Sequence, residues 1–285
     1  MKKLILIAGM ALLASCRPGG RGSALDTAAA PEFSVADWHS MDFIADSATI
    51  DSVAGVVESM HMRCLPYRSV EEIKKELGAI SEMWDDSPDY KVKELWEAVL
   101  WARLEFHLQN PVTFREWEPS SEWDPLTVSA SPDGKYKFYT TWDICTGTMG
   151  TWVTYCQTLD PDGNPVCRLW QDDREPECRG NVVDVWQFEL HDTTFYVLKS
   201  LWKASSCEWG YGMEIVTFSG GTPTYHSRFF PEEESGESYG VCYTNNFLDI
   251  DYSFDPKTLT VTAETQADGR DKLTTKKWRL NTKQQ

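Results

Sequence analysis

The chain has 285 residues, 41% of them hydrophobic, and a formal charge of −17. That is enough apolar material for one large packed domain or two modest ones. A body this acidic is repelled by phosphate backbones and anionic lipid heads, so nucleic acid is excluded as a natural partner.

The N-terminus reads as a secretory signal. Lys2 and Lys3 give it a positive start, and Leu4 to Leu13 form an apolar stretch. That stretch is shorter than the about 20 residues a membrane-crossing helix needs. Small residues then lead into a cysteine, Leu13-Ala14-Ser15-Cys16. These four positions resemble the lipobox of bacterial lipoproteins. The resemblance implies cleavage before Cys16, a diacylglycerol on its sulfur and an acyl chain on its new amino group. Several acyl chains together make a stable anchor, whereas one holds a protein only marginally. Arg17 rather than Asp follows the cysteine, so the inner-membrane retention signal of some lipoproteins is absent and the outer membrane is favoured. The expected localisation is therefore the bacterial cell envelope, with the membrane reached through the N-terminal lipid.

Residues 17–33 are rich in Gly, Ala and Pro without an apolar period, and read as a flexible tether. From 41 to 110 the apolar positions step by three and four. Ile50, Val53, Val57, Met60 and Cys64 make one stripe, and Ile73, Leu77, Ile80 and Trp84 a second. Val92, Leu95, Val99, Ala102 and Phe106 make a third. Ser69 with Glu72 forms a capping box ahead of the second stripe, and Asn110-Pro111 ends the third. Three helices are predicted.

From Leu126 the period changes to two. Strands are predicted at 126–131, 135–143, 151–159, 165–171, 181–190, 194–203, 212–219, 224–230, 239–244, 247–254, 258–265 and 273–280. Turn signals punctuate them at Pro132-Asp133-Gly134, Pro161-Asp162-Gly163, Gly220-Gly221 and Asp268-Gly269. Val182, Trp186, Phe188 and Leu190 are expected on one face. Leu248, Ile250, Tyr252 and Phe254 are expected opposite Asp249, Asp251 and Ser253. The stretch from Ser131 to Tyr139 resembles the strand openings of β-propeller repeats, but three groups of four strands fall short of the four to eight blades that close a propeller. The fold expected is α+β: an N-terminal three-helix segment, then an antiparallel β meander of about 12 strands in a curved sheet or sandwich. The divisions are 1–15 signal peptide, 16–33 lipidated tether, 34–110 helical region, 111–125 connection and 126–285 β domain.

Of eight cysteines, Cys16 is assigned to lipid. Cys145, Cys156, Cys167, Cys178, Cys207 and Cys242 are disulfide candidates in the β region, because disulfides persist outside the cytoplasm. Cys64, on a helix stripe, is expected as a buried thiol. Pro161-Asp162-Gly163 suits a three-residue loop with a left-handed glycine. In that register Cys156 faces Arg168, so Cys156 and Cys167 point to opposite sides.

No catalytic motif emerges. Ser200-Leu201-Trp202-Lys203 matches SxxK, but lies in a predicted strand and lacks the partner motifs. Asp249, Asp251 and Ser253 begin like a calcium loop but have Phe254 where glycine is needed, and Glu232-Glu233-Glu234 reads as an exposed loop. The five histidines form no close ligand pair, so neither metal nor cofactor is expected. Thirteen tryptophans remain. Trp142, Trp152, Trp209 and Tyr211 border the predicted loops 144–150 and 204–211, and form the candidate binding patch for a glycan or protein partner. The function expected is a lipid-anchored envelope protein with a non-enzymatic binding or structural role. The alternatives are a glycan-directed hydrolase using two acidic residues, or an inhibitor of an envelope-attacking enzyme.

Overall fold

The computed structural model describes residues 47–59, 69–87, 89–120, 126–143, 151–170, 181–203, 208–219, 221–230, 240–245, 248–267 and 273–282. These combine helix with antiparallel sheet in two compact units that divide between Glu116 and Trp117.

The first unit carries α1 (Ser47–Ser59), α2 (Val70–Asp86), α3 (Tyr90–His107) and α4 (Pro111–Glu116). The capping box at the start of α2 is present. Ser69 Oγ accepts from the Glu72 backbone N–H at 3.3 Å, and Glu72 Oε2 accepts from that of Ser69 at 2.9 Å. The buried face of α2 is Val70, Ile73, Glu76, Leu77 and Ile80. On α3 burial extends beyond one stripe to Trp96, Glu97, Leu100, Trp101, Arg103, Leu104 and His107. A helix buried on several faces lies at the centre of its unit.

The fourth helix is a correction to the predicted 111–125 connection. α3 ends at His107, capped by Leu108, and Asn110 then caps α4: its Oδ1 accepts from the Val112 N–H at 3.0 Å. Pro111 occupies the first helical position, where a missing N–H costs nothing. The Asn-Pro pair thus starts a helix, whereas the preceding one has already ended at His107.

The second unit contains β1 (Leu126–Ala130), β2 (Lys137–Asp143), β3 (Thr151–Leu159), β4 (Pro165–Leu169), β5 (Asn181–Leu190), β6 (Thr193–Lys203), β7 (Glu208–Ser219), β8 (Thr222–Tyr225), β9 (Gly240–Asn245), β10 (Leu248–Asp255), β11 (Thr260–Ala267) and β12 (Leu273–Arg279). They form three antiparallel sheets rather than one continuous curved sheet. β1 to β4 make the first; β5 to β8 make the second, with β9 also pairing β7; β10 to β12 make the third. Ser120 adds a short bridge to Val128 at the edge of the first.

Two apolar cores lie on the faces of the middle sheet. One joins Phe138, Cys156 and Trp170 of the first sheet region to Val182, Val185, Tyr196, Leu198 and Val216. The other joins Phe188, Phe195, Val197, Met213 and Ile215 to Phe229, Tyr252, Phe254, Val261 and Leu280. Hence β6 buries four consecutive residues, Phe195 to Leu198, alternately in the two cores. A β-bulge between Val182 and Asp184 corrects the predicted face of β5. The extra residue flips the strand, so Val182 joins Val185 in the first core while Trp186, Phe188 and Leu190 pack in the second.

β7 corrects another boundary. It starts at Glu208, inside the predicted loop 204–211, and its first half lies between β6 and β9. The glycines at 210 and 212 obscured the strand pattern.

Candidate functional site

The four aromatic residues singled out from sequence fall on two different sheets. Trp142 and Trp152 are opposite one another across β2 and β3. Trp152 is only 2% exposed, so it fills the interior and is no stacking platform. Trp209 and Tyr211 lie in β7 rather than at a loop border, opposite Lys203 and Leu201 of β6 and Thr244 and Cys242 of β9. Tyr211 packs against the second core, with Lys199 Nζ 4.5 Å from its ring centre.

A different aromatic group gathers at the rim of the first core. The rings of Tyr136 and Phe218 stack with centroids 3.9 Å apart. Tyr196 meets Tyr136 edge-on at 5.0 Å and Phe218 at 5.4 Å. Trp170 stands 5.9 Å from Phe218 and 6.1 Å from Tyr225. Trp170 and Tyr196 are buried, whereas Tyr136, Phe218 and Tyr225 are half-buried and form the outer edge.

Polar groups frame this rim. At one end is Asp133, in the turn between β1 and β2. Its carboxylate accepts from Ser131 Oγ at 2.7 Å, the Lys135 N–H at 3.1 Å and the Tyr196 hydroxyl at 2.8 Å. Partial burial pushes this carboxyl upward, but the hydrogen bonds from Ser131, Tyr196 and Lys135 outweigh it and hold the pKa below its ordinary value. Burial, then Asp133, pushes the Tyr196 hydroxyl up, so it stays a proton donor. Lys135 Nζ lies 3.2 Å from the same carboxylate. The Asp133 backbone N–H donates to Gln187 Oε1 at 3.0 Å, which ties the turn to the middle sheet. At the other end is Arg168, exposed on β4, whose Nη1 donates to Thr222 Oγ1 at 2.9 Å. Gly221 lies beside it, and a Cβ there would stand in ordinary contact, 3.7 Å from Arg168 Nε. Its φ of +79° also suits glycine.

The interior behind the rim is partly polar. Thr127, Thr140 and Thr154 stand side by side across β1, β2 and β3. Thr140 and Thr154 hydroxyls are 3.0 Å apart, and Thr127 Oγ1 donates to Asn181 Oδ1 at 2.8 Å. Ser129 Oγ donates to the Val182 carbonyl at 2.8 Å. These bonds satisfy buried hydroxyls and fix how the two sheets register.

Catalytic geometry is sparse. Thr217 Oγ1 lies 2.8 Å from His226 Nε2, within reach for a nucleophile and its base. Burial, then the Arg228 charge, lowers the His226 pKa, which favours the neutral ring. Among the described residues, however, no carboxylate orients the other ring nitrogen. The ring packs on Phe195 at 5.1 Å and Phe229 at 6.2 Å, as a structural tie would. Among the described residues no group of three His, Cys, Asp or Glu side chains converges as a metal site. In the helical unit, Arg103 Nε donates to Glu76 Oε1, and His107 Nε2 lies 3.3 Å from the same oxygen. All three are buried.

Cys156 is a buried thiol in the first core, which corrects its expected place in a bridge. Apolar side chains of that core pack around it, with Arg168 opposite on β4, and a small thiol is accommodated there as an apolar residue. Cys16, Cys64, Cys145, Cys178 and Cys207 lie outside the described residues, as does the Glu232–Glu234 run. Cys242 is placed only as the β9 position opposite Tyr211. No described helix is long and apolar enough to cross a membrane.

No protein-family model matches the chain, and neither does any curated protein or solved structure. The rim residues Tyr136, Phe218, Tyr225 and Arg168 escaped sequence reasoning because they come from β4, β7, β8 and the β1–β2 turn. The one local sign was Tyr136, two residues after the Pro132-Asp133-Gly134 turn signal.

Proposed function

We propose that this protein is a lipid-anchored component of the bacterial cell envelope, most simply of the outer membrane, that recognises a glycan without catalysing a reaction. The anchor reading rests on Leu13-Ala14-Ser15-Cys16 behind a charged and apolar leader. The recognition reading rests on one observation: three half-buried rings, Tyr136, Phe218 and Tyr225, pack against one core, where Asp133 holds the Tyr196 hydroxyl and Arg168 bonds Thr222 of β8. Aromatic faces next to fixed hydrogen-bonding groups suit the mixed apolar and polar surface of a sugar ring. The Thr217–His226 pair does not compete, because among the described residues no group orients it and its ring lies within apolar packing.

The test uses two preparations. Wild-type protein made in a host that processes lipoproteins is expected to carry acyl mass on Cys16 and to partition into detergent, whereas Cys16→Ala is not. Soluble chain beginning after the tether is then titrated with solubilised envelope polysaccharide while tryptophan fluorescence is followed, Trp170 being the reporter. A saturable change that Phe218→Ala abolishes supports recognition at the rim. A mature but unacylated wild-type chain overturns the anchor, and a fluorescence change of equal size in Phe218→Ala overturns the rim.

A further inference from the structure

We propose that the rim selects an acidic sugar, with Arg168 binding the carboxylate of a uronate unit whose ring lies against the aromatic group. This rests on the recognition reading above and adds the class of ligand. Arg168 and Trp170 are two residues apart on one strand course, so their side chains leave the same face about 6–7 Å apart. Trp170 is itself buried but touches the half-buried rings of Phe218 and Tyr225, so the face that carries Arg168 also carries the aromatic edge. The register supports the shared face, since Arg168 lies opposite Cys156 and the Trp170 N–H donates to the Thr154 carbonyl two residues before Cys156.

The state of Arg168 points to an anion. The chain carries 44 acidic and 27 basic side chains, so carboxylate partners are abundant. Even so, Arg168 forms no ion pair with any described residue; its recorded partner is the neutral Thr222 hydroxyl. That bond engages Nη1 and fixes the guanidinium plane against the β7–β8 hairpin, leaving other donors to pair with a carboxylate. An arginine held in place before binding loses less side-chain entropy when it binds. The acidic net charge of the whole chain does not forbid this, because charges beyond about 8 Å are largely screened at physiological salt.

Three anionic or neutral ligands make different predictions. A neutral sugar would need only the rings and hydroxyls. A bilayer would need exposed apolar side chains to insert, and the large exposed ones among the described residues, Met83, Tyr90 and Val183, are not the residues that form this rim. Duplex nucleic acid presents a dense phosphate array to a chain of net charge −17 and is repelled.

The test is isothermal titration of the soluble mature chain with oligogalacturonate, and with a neutral galactose oligosaccharide of equal length. Uronate is expected to bind at least tenfold more tightly than the neutral sugar, and more weakly as salt rises. Arg168→Gln is expected to lose that preference, while Arg168→Lys keeps part of it and Phe218→Ala weakens both ligands. Thermal melting of each variant confirms that it is folded, and Thr222→Val gives a second probe that leaves Arg168 in the chain but unfixed. Equal binding of the two oligosaccharides, or an unchanged preference in folded Arg168→Gln, overturns the acidic-sugar inference and leaves the rim as a sugar site. Anionic vesicles or duplex DNA binding more tightly than oligogalacturonate would also overturn it. If neither oligosaccharide binds, both readings fail together.

Discussion

Cys156 lies directly opposite Arg168 across β3 and β4, and Gln157 opposite Cys167. The two cysteines, eleven residues apart, therefore stand on opposite faces of the same hairpin. The turn explains the parity. The Gly163 N–H donates to the Asp160 carbonyl at 2.9 Å, the Asp160 N–H donates to the Asn164 carbonyl at 2.9 Å, and Gly163 has φ +82°. A type I turn closed by a left-handed glycine leaves an odd number of loop residues, which offsets the cysteines by one position. Non-reducing peptide mapping is expected to yield no peptide linking Cys156 to Cys167. Burial also pushes the Cys156 thiol far above its ordinary pKa, so maleimide labelling at neutral pH is expected only after unfolding. Rapid labelling of the native protein at Cys156 would refute that packing.

The hairpin also sets up a paired stability test. Gly163 has open space around a built Cβ, so Gly163→Ala is penalised by backbone conformation alone, at about 1–2 kcal/mol. Gly78, inside α2, has equally open surroundings but ordinary helical geometry. Gly78→Ala is expected to stabilise by about 1 kcal/mol. Thermal melts moving in opposite directions would confirm both; a stabilised Gly163→Ala would mean the left-handed turn is absent.

These turns were legible in the sequence because Pro-Asp-Gly fixes its own geometry within four residues. The Ser69 cap and the buried Ile73, Leu77 and Ile80 of α2 were legible because their spacing is set within one helical turn, whereas the burial of Glu76 depends on Arg103 and was not. The bulge at Val183 was not, since one added residue leaves the composition of β5 unchanged while inverting the face of Val182. The aromatic rim was hidden too. Tyr136 and Phe218 are 82 positions apart in sequence, and only the packing of two sheets brings them into contact. The split of the strands into three sheets is likewise a matter of long-range pairing, which local periodicity does not encode.

Acid should loosen the link between the first two sheets. Asp133 is charged in the fold and its pKa sits below the ordinary 3.8. The unfolded chain therefore takes up its proton first as pH falls, and the group's contribution to stability is complete above 3.8 and lost as pH falls through the lower folded value. Asp133→Asn cannot ionise, so its stability curve is expected to be flatter than wild type between about pH 5 and pH 2. Equal slopes for the two proteins, measured by urea titration, would show that the Tyr196 and Ser131 hydrogen bonds to Asp133 contribute nothing to the linkage.

In the helical unit the most sensitive position is Glu76. Its Oε1 receives the Arg103 Nε–H and stands 3.3 Å from His107 Nε2, and the side chains of Glu76 and Arg103 are 6% and 3% exposed. Arg103 and His107 are four residues apart on α3, so one carboxylate on α2 accepts from Arg103 and lies close to His107 on the same face. Removing that carboxylate takes away the acceptor of the buried Arg103 Nε–H, and breaking a buried pair from one side costs about 3–5 kcal/mol. Glu76→Ala is therefore expected to melt far below wild type, with Glu76→Gln intermediate because its carbonyl still accepts one bond. Replacing both partners, as in Glu76→Leu with Arg103→Met, removes the buried charges along with the pair and should recover much of the loss. A double variant no more stable than Glu76→Ala would show that Arg103 holds the unit together through contacts other than this carboxylate.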